Sequence, residues 1–274
     1  MAAAVSDARP WALILGASSG FGEAAALELA RNGYDIFGVH LDRRAGLKHV
    51  EELKEQIAQL DRKAVYFNMN AASPEKRAEA LDAIQTELSS SGGTLRVLMH
   101  SLAFGTLRLY IADDAKEGLK KEQMEMTLDV MANSLVYWMQ DIVARGLMGE
   151  GGRVFAMTSS GGTRVIPYYG AVSAAKAALE SHCRQLALEL AGRGITVNAI
   201  RAGVTDTPAL RKIPGNEWMI DSAKRNNPHG RLTTTEDVAR ALVLFSRPEA
   251  SWITGNVLGV DGGEDITTEL PPRE

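Results

Sequence analysis

Short apolar runs alternate with longer helical patterns along almost the whole chain. The runs are apolar at every position rather than at every second one, which is typical of parallel strands covered by helices on both faces. We predict seven strands: Trp11–Gly16, Tyr34–His40, Ala64–Asn68, Leu95–His100, Arg153–Thr158, Thr196–Ile200 and Asn256–Val260. Because parallel strands are joined by right-handed crossovers, this alternation predicts an α/β fold with one doubly wound, Rossmann-type sheet flanked by helices.

Helical patterns occupy the intervals between these strands. They cover Gly20–Asn32, Ala45–Leu60, Pro74–Ser89, Lys121–Met148, Tyr168–Ala191 and Thr235–Ser246. Ser73 before Pro74, and Thr234 before an acidic first turn, are helix-start signals. The sequence contains no repeat and no linker, so we predict one domain over residues 10–274, preceded by a loose tail at residues 1–9.

The segment from Asp206 to His229 interrupts the alternation, because it places Pro208, Pro214 and Pro228 among large apolar residues. A long insertion after the carboxyl end of a strand is where a ligand lid usually lies in such sheets. We predict that residues 206–229 form a helical substrate lid. The alternative is a surface excursion that packs only its own apolar residues.

Charge and composition exclude several classes of partner. The chain has 30 basic and 34 acidic residues, a net charge of −4, which gives no reason to expect a nucleic-acid partner. Its one cysteine, Cys183, excludes an internal disulfide and fits a reducing compartment. No apolar run reaches the roughly 18 residues that cross a bilayer, and the amino terminus does not match a secretory signal. We expect a cytoplasmic protein with no membrane partner.

A GxxxGxG pattern follows the first predicted strand and opens the first helix. Its residues include Gly16, Ser18, Ser19, Gly20, Phe21 and Gly22. Glycines here let the backbone turn tightly and approach a pyrophosphate, while the helix amino end offers N–H donors and a positive dipole. The pattern predicts a dinucleotide-binding loop.

The end of the second strand bears on which dinucleotide is bound. An NAD enzyme usually places an acidic residue at this strand tip, and here the tip is His40. Arg43, with Ser18 or Ser19, would pair with a 2′-phosphate, so NADPH is predicted over NADH. Asp42 keeps NADH open, because a register shift of two residues would bring it to the ribose. Asn70, after the third strand, is placed to bind the adenine.

A strand, a Ser-Gly-rich loop and an Ala-rich helix span residues 157–176, where Tyr168 and Tyr169 precede Lys176. A phenol, a lysine and the upstream Ser159 at one strand-to-helix junction predict proton-transfer chemistry. The alternatives are a surface helix lysine, and a serine that only caps the loop. Tyr168 is interpreted as a packing residue.

The segments GASSGFG, ITVNAIRAG and NVLGVDGG, with the Lys176 helix, resemble the short-chain dehydrogenase/reductase superfamily over essentially the whole chain. Ordinary members place tyrosine four residues before the lysine, where this chain has Val172. Their fourth strand ends in Asn-Asn-Ala-Gly, whereas here it continues as HSLAFG. Their helix asparagine is replaced by Met131.

These departures resemble the NADPH-dependent enoyl-acyl carrier protein reductases, which use a Tyr-x6-Lys pair to reduce a carbon-carbon double bond in fatty-acid synthesis. Tyr169 and Lys176 have that spacing, and Ser159 stands where the better-known form carries a second tyrosine. The resemblance implies an enoyl thioester substrate on acyl carrier protein or coenzyme A, and a homotetramer or homodimer. It also implies cofactor contacts from Ser101, Leu102, Ala103, Lys176, Gly203, Thr205 and Thr207, and substrate contacts from Gly105, Ala209, Leu210, Ile213, Trp218 and Met219.

The spacing has a chemical reason. Moving the phenol from four to seven residues before the lysine shifts it about 4.5 Å along the helix axis. Hydride added at C3 of an enoyl thioester puts charge on an oxygen three bonds away, so its donor must stand further from the nicotinamide. The remaining alternatives are a 3-oxoacyl thioester or carbonyl reductase, a 2,4-dienoyl-CoA reductase, and a non-enzymatic NADPH-sensing regulator.

Overall fold

One parallel sheet forms the centre of the fold. The computed structural model describes residues 9–267, so nearly all of the predicted 1–9 tail lies outside the described residues. The sheet has the strand order β3-β2-β1-β4-β5-β6-β7 and every neighbouring pair is parallel. The strands are β1 (Pro10–Leu15), β2 (Asp35–His40), β3 (Ala64–Asn68), β4 (Thr94–His100), β5 (Arg153–Thr158), β6 (Thr196–Ala202) and β7 (Val257–Val260). The predicted doubly wound sheet is confirmed.

Helices cover both faces of this sheet. They are α1 (Gly20–Arg31), α2 (Leu47–Gln59), α3 (Pro74–Ser91), α4 (Lys121–Leu128), α5 (Ser134–Ala144), α6 (Gly170–Leu190), α7 (Asn216–Asn226) and α8 (Thr235–Ser246). Trp11, Leu13 and Leu15 of β1 enter the core shared with α3, α5 and α6, while Ala12 and Ile14 enter the core shared with α1, α2 and α8. Burial on both faces explains why the strands are apolar throughout.

The predicted helix Lys121–Met148 differs from the observed one. It is divided into α4 and α5 by a π-helical turn at Asp129–Asn133, and it ends at Ala144. A π-helical turn adds one residue to the helix without changing the composition, so the apolar pattern does not reveal it. Gly146 follows the helix end with φ 66°.

Two further boundaries bear on the site. Helix α6 begins at Gly170 rather than at Tyr168, because Tyr168 has φ 65° and Tyr169 is still non-helical. The predicted helical insertion contains a short 3₁₀ turn at Leu210–Lys212 and helix α7. No helix among residues 9–267 is both long enough and apolar enough to cross a membrane.

The strand order reverses between β1 and β4. From β1 the chain proceeds outward through β2 and β3, then returns to β4 on the other side of β1. In open α/β sheets, ligands bind at the carboxyl ends of the strands where the order reverses. The sheet therefore places a ligand site beside Gly16 and Ser101.

Candidate active site

A cleft of about 500 Å³ opens at the carboxyl edge of the sheet. Most of the predicted site residues line it: Gly16, Ser18, Ser19, Gly20, Phe21, Asn70, Ser101, Leu102, Ala103, Gly105, Ser159, Tyr169, Lys176, Gly203, Thr205, Thr207, Ala209, Leu210, Ile213 and Met219. Gly22, Arg43 and Trp218 are not among the lining residues. The side chain of Trp218 is 70% exposed.

The glycine loop brings backbone close to backbone, as a dinucleotide cradle requires. Gly16 has φ 93°, and a Cβ there would stand 2.4 Å from the carbonyl oxygen of Ser101. A Cβ at Gly22 would stand 2.0 Å from the carbonyl oxygen of Gly16. Gly22 therefore serves by letting α1 pack onto the loop. Ser19 makes no side-chain cap on α1, and Ser19, Gly20 and Phe21 at the amino end of that helix line the cleft. These features fit a bound pyrophosphate.

The Asp42 carboxylate lies next to the adenosine end of the cleft without lining it. Nδ1 of His40 lies 2.9 Å from Oδ2 of Asp42, and the Asp42 backbone N–H donates to Asn68. Partial burial opposes ionisation of Asp42, but hydrogen bonds from Ser18 and His40 hold its pKa below the usual value. Arg43 is exposed and outside the lining. The Asp42 carboxylate, rather than a guanidinium, thus adjoins Ser18.

Lys176 is a buried cation at the centre of the cleft. Its side chain belongs to a residue only 5% exposed, and Nζ donates to the carbonyl oxygen of Met157 at 2.6 Å. Burial lowers the pKa of Lys176 to about 8, although the neighbouring Cys183 and Glu180 partly oppose this. A surface helix lysine is excluded, and the ammonium retains protons for further hydrogen bonds in the cleft.

Tyr169 stands in the same cleft and Tyr168 does not. Tyr169 is 8% exposed, and its ring packs so closely on Gly161 that a Cβ there would be 2.6 Å away. Burial raises the pKa of Tyr169, and the Ser159 hydroxyl lowers it in part. Ser159 also accepts a hydrogen bond from the backbone N–H of Gly161, so it caps the loop and faces the phenol. Tyr168 is 41% exposed and does not pack into the core.

An apolar chamber adjoins Tyr169. Its walls include side chains that the sequence interpretation did not assign to the site: Leu107, Met126, Val130, Met131, Ile166 and Val172. A Cβ at Gly105 would stand 2.8 Å from side-chain atoms of Thr127, Met131 and Val172. The two positions where ordinary members of the superfamily carry tyrosine and asparagine are therefore both apolar walls. Their departure from that pattern was visible in the sequence, and their shared location was not.

Comparison with known proteins agrees with this geometry. A protein-family model described as "Enoyl-(Acyl carrier protein) reductase" matches residues 16–264. The chain is a member of the short-chain dehydrogenase/reductase superfamily. It is accordingly an oxidoreductase of the kind that uses a pyridine nucleotide.

Individual relatives include reductases of two kinds. The enoyl-[acyl-carrier-protein] reductase [NADH] of Nostoc sp. (strain PCC 7120) is 32% identical over 80% of either chain. The 3-oxoacyl-[acyl-carrier-protein] reductase of Aggregatibacter actinomycetemcomitans is 31% identical over 92% of this chain and 97% of its own. The enoyl-[acyl-carrier-protein] reductase [NADH] of Aquifex aeolicus (strain VF5) is 31% identical over 65% of either chain. Its solved structure matches with a TM-score of 0.80 and 26% identity, over 94% of this chain and 97% of that one.

Proposed function

We propose that the protein reduces the carbon-carbon double bond of a trans-2-enoyl thioester. The observation that carries the proposal is the position of Tyr169, the one tyrosine among residues 9–267 that lines the cleft. Tyr169 lies seven residues before the buried Lys176, while the position four residues before it is the chamber wall Val172. A donor in this register suits an oxygen three bonds from the carbon that accepts hydride.

Each polar side chain of the cleft has a separate role in such a reaction. A bound dinucleotide supplies the hydride that C3 of the substrate accepts. Tyr169 donates a hydrogen bond to the thioester oxygen and stabilises the enolate as charge develops there. Lys176, whose ammonium donates to the carbonyl oxygen of Met157, would hold the ribose hydroxyls of the dinucleotide with its remaining protons. Ser159 orients Tyr169. C2 then takes a proton from water or through Tyr169.

For the hydride donor, the geometry supports NADH, although the sequence favoured NADPH. Neither Arg43, on which the NADPH prediction rested, nor Asp42 lines the cleft, but Asp42 is hydrogen-bonded to Ser18 and His40, which both line it. The Asp42 carboxylate adjoins Ser18 and is held ionised by His40 and Ser18. A carboxylate in this place accepts hydrogen bonds from two ribose hydroxyls and repels a 2′-phosphate.

Substitution of Asp42 by asparagine tests this assignment. The amide keeps the size of the side chain and removes its charge, so the repulsion of a 2′-phosphate disappears. We expect the ratio of kcat/KM for NADH to kcat/KM for NADPH to fall by about tenfold, the scale of one charged hydrogen bond. Arg43→Gln is the control, and it should leave the ratio unchanged. A ratio that responds to Arg43→Gln and not to Asp42→Asn would restore NADPH as the cofactor.

The form in which the substrate arrives is a further part of the proposal. Exposed Lys212 and Arg225 of the lid are the candidate contacts for an acidic carrier protein, since Asp206 engages Arg211 with both carboxylate oxygens and also attracts Lys224. We propose that the acyl group is bound to acyl carrier protein, with coenzyme A as the alternative.

Exposed Tyr137 on α5 and Leu188 on α6 support pairing of these helices between subunits, in a homodimer or homotetramer.

The test of the function compares two substrates under one assay. Oxidation of NADH, or of NADPH, is followed with crotonyl thioester and with acetoacetyl thioester, each on coenzyme A and on acyl carrier protein. We expect faster turnover of the crotonyl substrate. Faster turnover of the keto substrate would replace the proposal with the second candidate, a 3-oxoacyl thioester reductase. That candidate is favoured by Ser159, the serine of ordinary family members, and by the long alignment with a reductase of that name.

A further inference from the structure

A buried histidine lies behind the substrate chamber without lining it. His100 ends β4 and is fully buried, and its Nε2 lies 2.9 Å from Oγ of Ser134, which is also fully buried. Oγ of Ser134 is in turn 2.8 Å from the carbonyl oxygen of Val130. His100 of the sheet, Ser134 at the start of α5 and Val130 of the chamber wall thus form one chain of hydrogen bonds.

The direction of this chain follows from its end. A carbonyl oxygen only accepts, so the single hydroxyl proton of Ser134 goes to Val130. The serine oxygen must then accept, and His100 donates its Nε2–H. Burial, and then the charge on Lys176, lower the pKa of His100 to about 3, so the imidazole stays neutral and keeps this role at physiological pH. Nδ1 has no hydrogen-bond partner among the described residues.

This chain of hydrogen bonds reaches the π-helical turn between α4 and α5, where the backbone hydrogen bonds depart from the α-helical pattern. The backbone N–H of Ser134 donates to Asp129, five residues earlier, which is the π-helical pattern. Its side chain bonds instead to Val130, four residues earlier. Ser134 therefore holds both sides of the wide turn, and His100 ties Ser134 to β4. Val130 and Met131 lie inside this turn and line the chamber.

We propose that His100 and Ser134 are positioning residues that fix the substrate-facing wall of the chamber by holding the π-helical turn in place. A return to α-helical geometry would remove one residue from the turn and rotate α4 against α5 by about 100°. Val130 and Met131 would then no longer face the chamber together. The inference concerns the wall that contacts the acyl group, so only the naming of that group rests on the proposed function.

Ser134→Ala and His100→Phe are the test variants. Ser134→Ala removes both bonds of the chain and His100→Phe removes the one to Ser134, and each leaves Tyr169, Lys176 and the glycine loop in place. We expect KM for the thioester to rise about fivefold or more, the scale of one buried hydrogen bond, while KM for the dinucleotide stays within about twofold. His100→Gln is expected to restore most of the loss, since its amide N–H reaches a position close to that of Nε2.

Ser246→Ala provides a matched control. The buried Ser246 hydroxyl makes the same bond to a carbonyl four residues earlier, that of Leu242, in a helix away from the cleft. Hydrogen exchange of residues 126–136, followed by mass spectrometry, gives a readout independent of activity. It should accelerate in Ser134→Ala and His100→Phe and remain unchanged in Ser246→Ala and His100→Gln.

Equal effects of Ser134→Ala and Ser246→Ala on thioester KM would overturn the inference, and so would unchanged exchange in residues 126–136. The KM is measured with whichever thioester the wild-type protein reduces. A preference for the keto substrate would therefore defeat the enoyl assignment and leave this test intact.

Discussion

Replacing Tyr169 with phenylalanine is expected to lower kcat for the enoyl thioester by about a hundredfold, the usual cost of one oxyanion donor. The substitution removes only the hydroxyl, and the ring remains packed on Gly161. KM for the dinucleotide should change little, because the glycine loop and Lys176 are untouched. Steady-state kinetics with crotonyl thioester measure both quantities.

Tyr168→Phe is the matched control for this prediction. Tyr168 adjoins Tyr169 in sequence, but it is 41% exposed and its φ of 65° turns the chain before α6 begins. The variant keeps the same backbone strain and should retain wild-type kcat within about twofold, as expected of a surface hydroxyl. A large loss of kcat in Tyr168→Phe with a small loss in Tyr169→Phe would show that Tyr168, and not Tyr169, is the hydrogen-bond donor.

The pH dependence of kcat in the wild-type protein is expected to report the ionisation of the Tyr169 hydroxyl. Burial raises the pKa of this phenol, and Ser159 offsets only part of the rise. The hydroxyl therefore keeps its proton at neutral pH and can act as a hydrogen-bond donor. Ser159→Ala removes the offset, so it should move the alkaline limb of kcat that belongs to Tyr169 to higher pH.

Several features of the fold and site could be predicted from the sequence because local patterns determine them. Strands buried on both faces are apolar throughout, and this pattern gave the parallel sheet. The choice of Tyr169 over Tyr168 rested on the resemblance to reductases with a Tyr-x6-Lys pair, and Tyr169 lines the cleft whereas Tyr168 does not. The buried environment of Lys176 agrees with its small neighbours Ala175 and Ala178.

Other features depend on contacts between distant residues. Asp42 adjoins Ser18 because His40 and Asn68 hold it there, and no local pattern around Arg43 indicates this. The bond between His100 and Ser134 joins residues 34 positions apart. Trp218 and Met219 were predicted together as substrate contacts. Consecutive residues of a helix point about 100° apart, and only Met219 lines the cleft.

Lys176→Met is expected to lower kcat/KM for the dinucleotide by about tenfold to about a hundredfold, the range for hydrogen bonds from a charged group. Methionine keeps the length of the apolar stem and removes the ammonium. In the wild-type protein the pKa of Lys176 is about 8, so kcat/KM should be level at lower pH and decline as the ammonium loses its proton above it. The variant should lack this decline. Lys48→Met, whose side chain is 88% exposed, is the control for loss of a lysine charge.

As the pH rises above 8, the contribution of Lys176 to the free energy of unfolding should become more favourable while kcat/KM declines. Because burial lowers the pKa of Lys176 to about 8, well under the ordinary value of about 10.4, the unfolded chain binds the proton more tightly. Below pH 8 the folded protein bears the whole cost of a buried ammonium, and this cost is relieved as the pH rises towards 10. The free energy of unfolding of the wild-type protein should therefore gain on that of Lys176→Met between these pH values, as measured by denaturant titration. A variant that loses both cofactor affinity and stability at pH 7 would show that Lys176 supports the fold, and the assignment of its ammonium to the dinucleotide would fail.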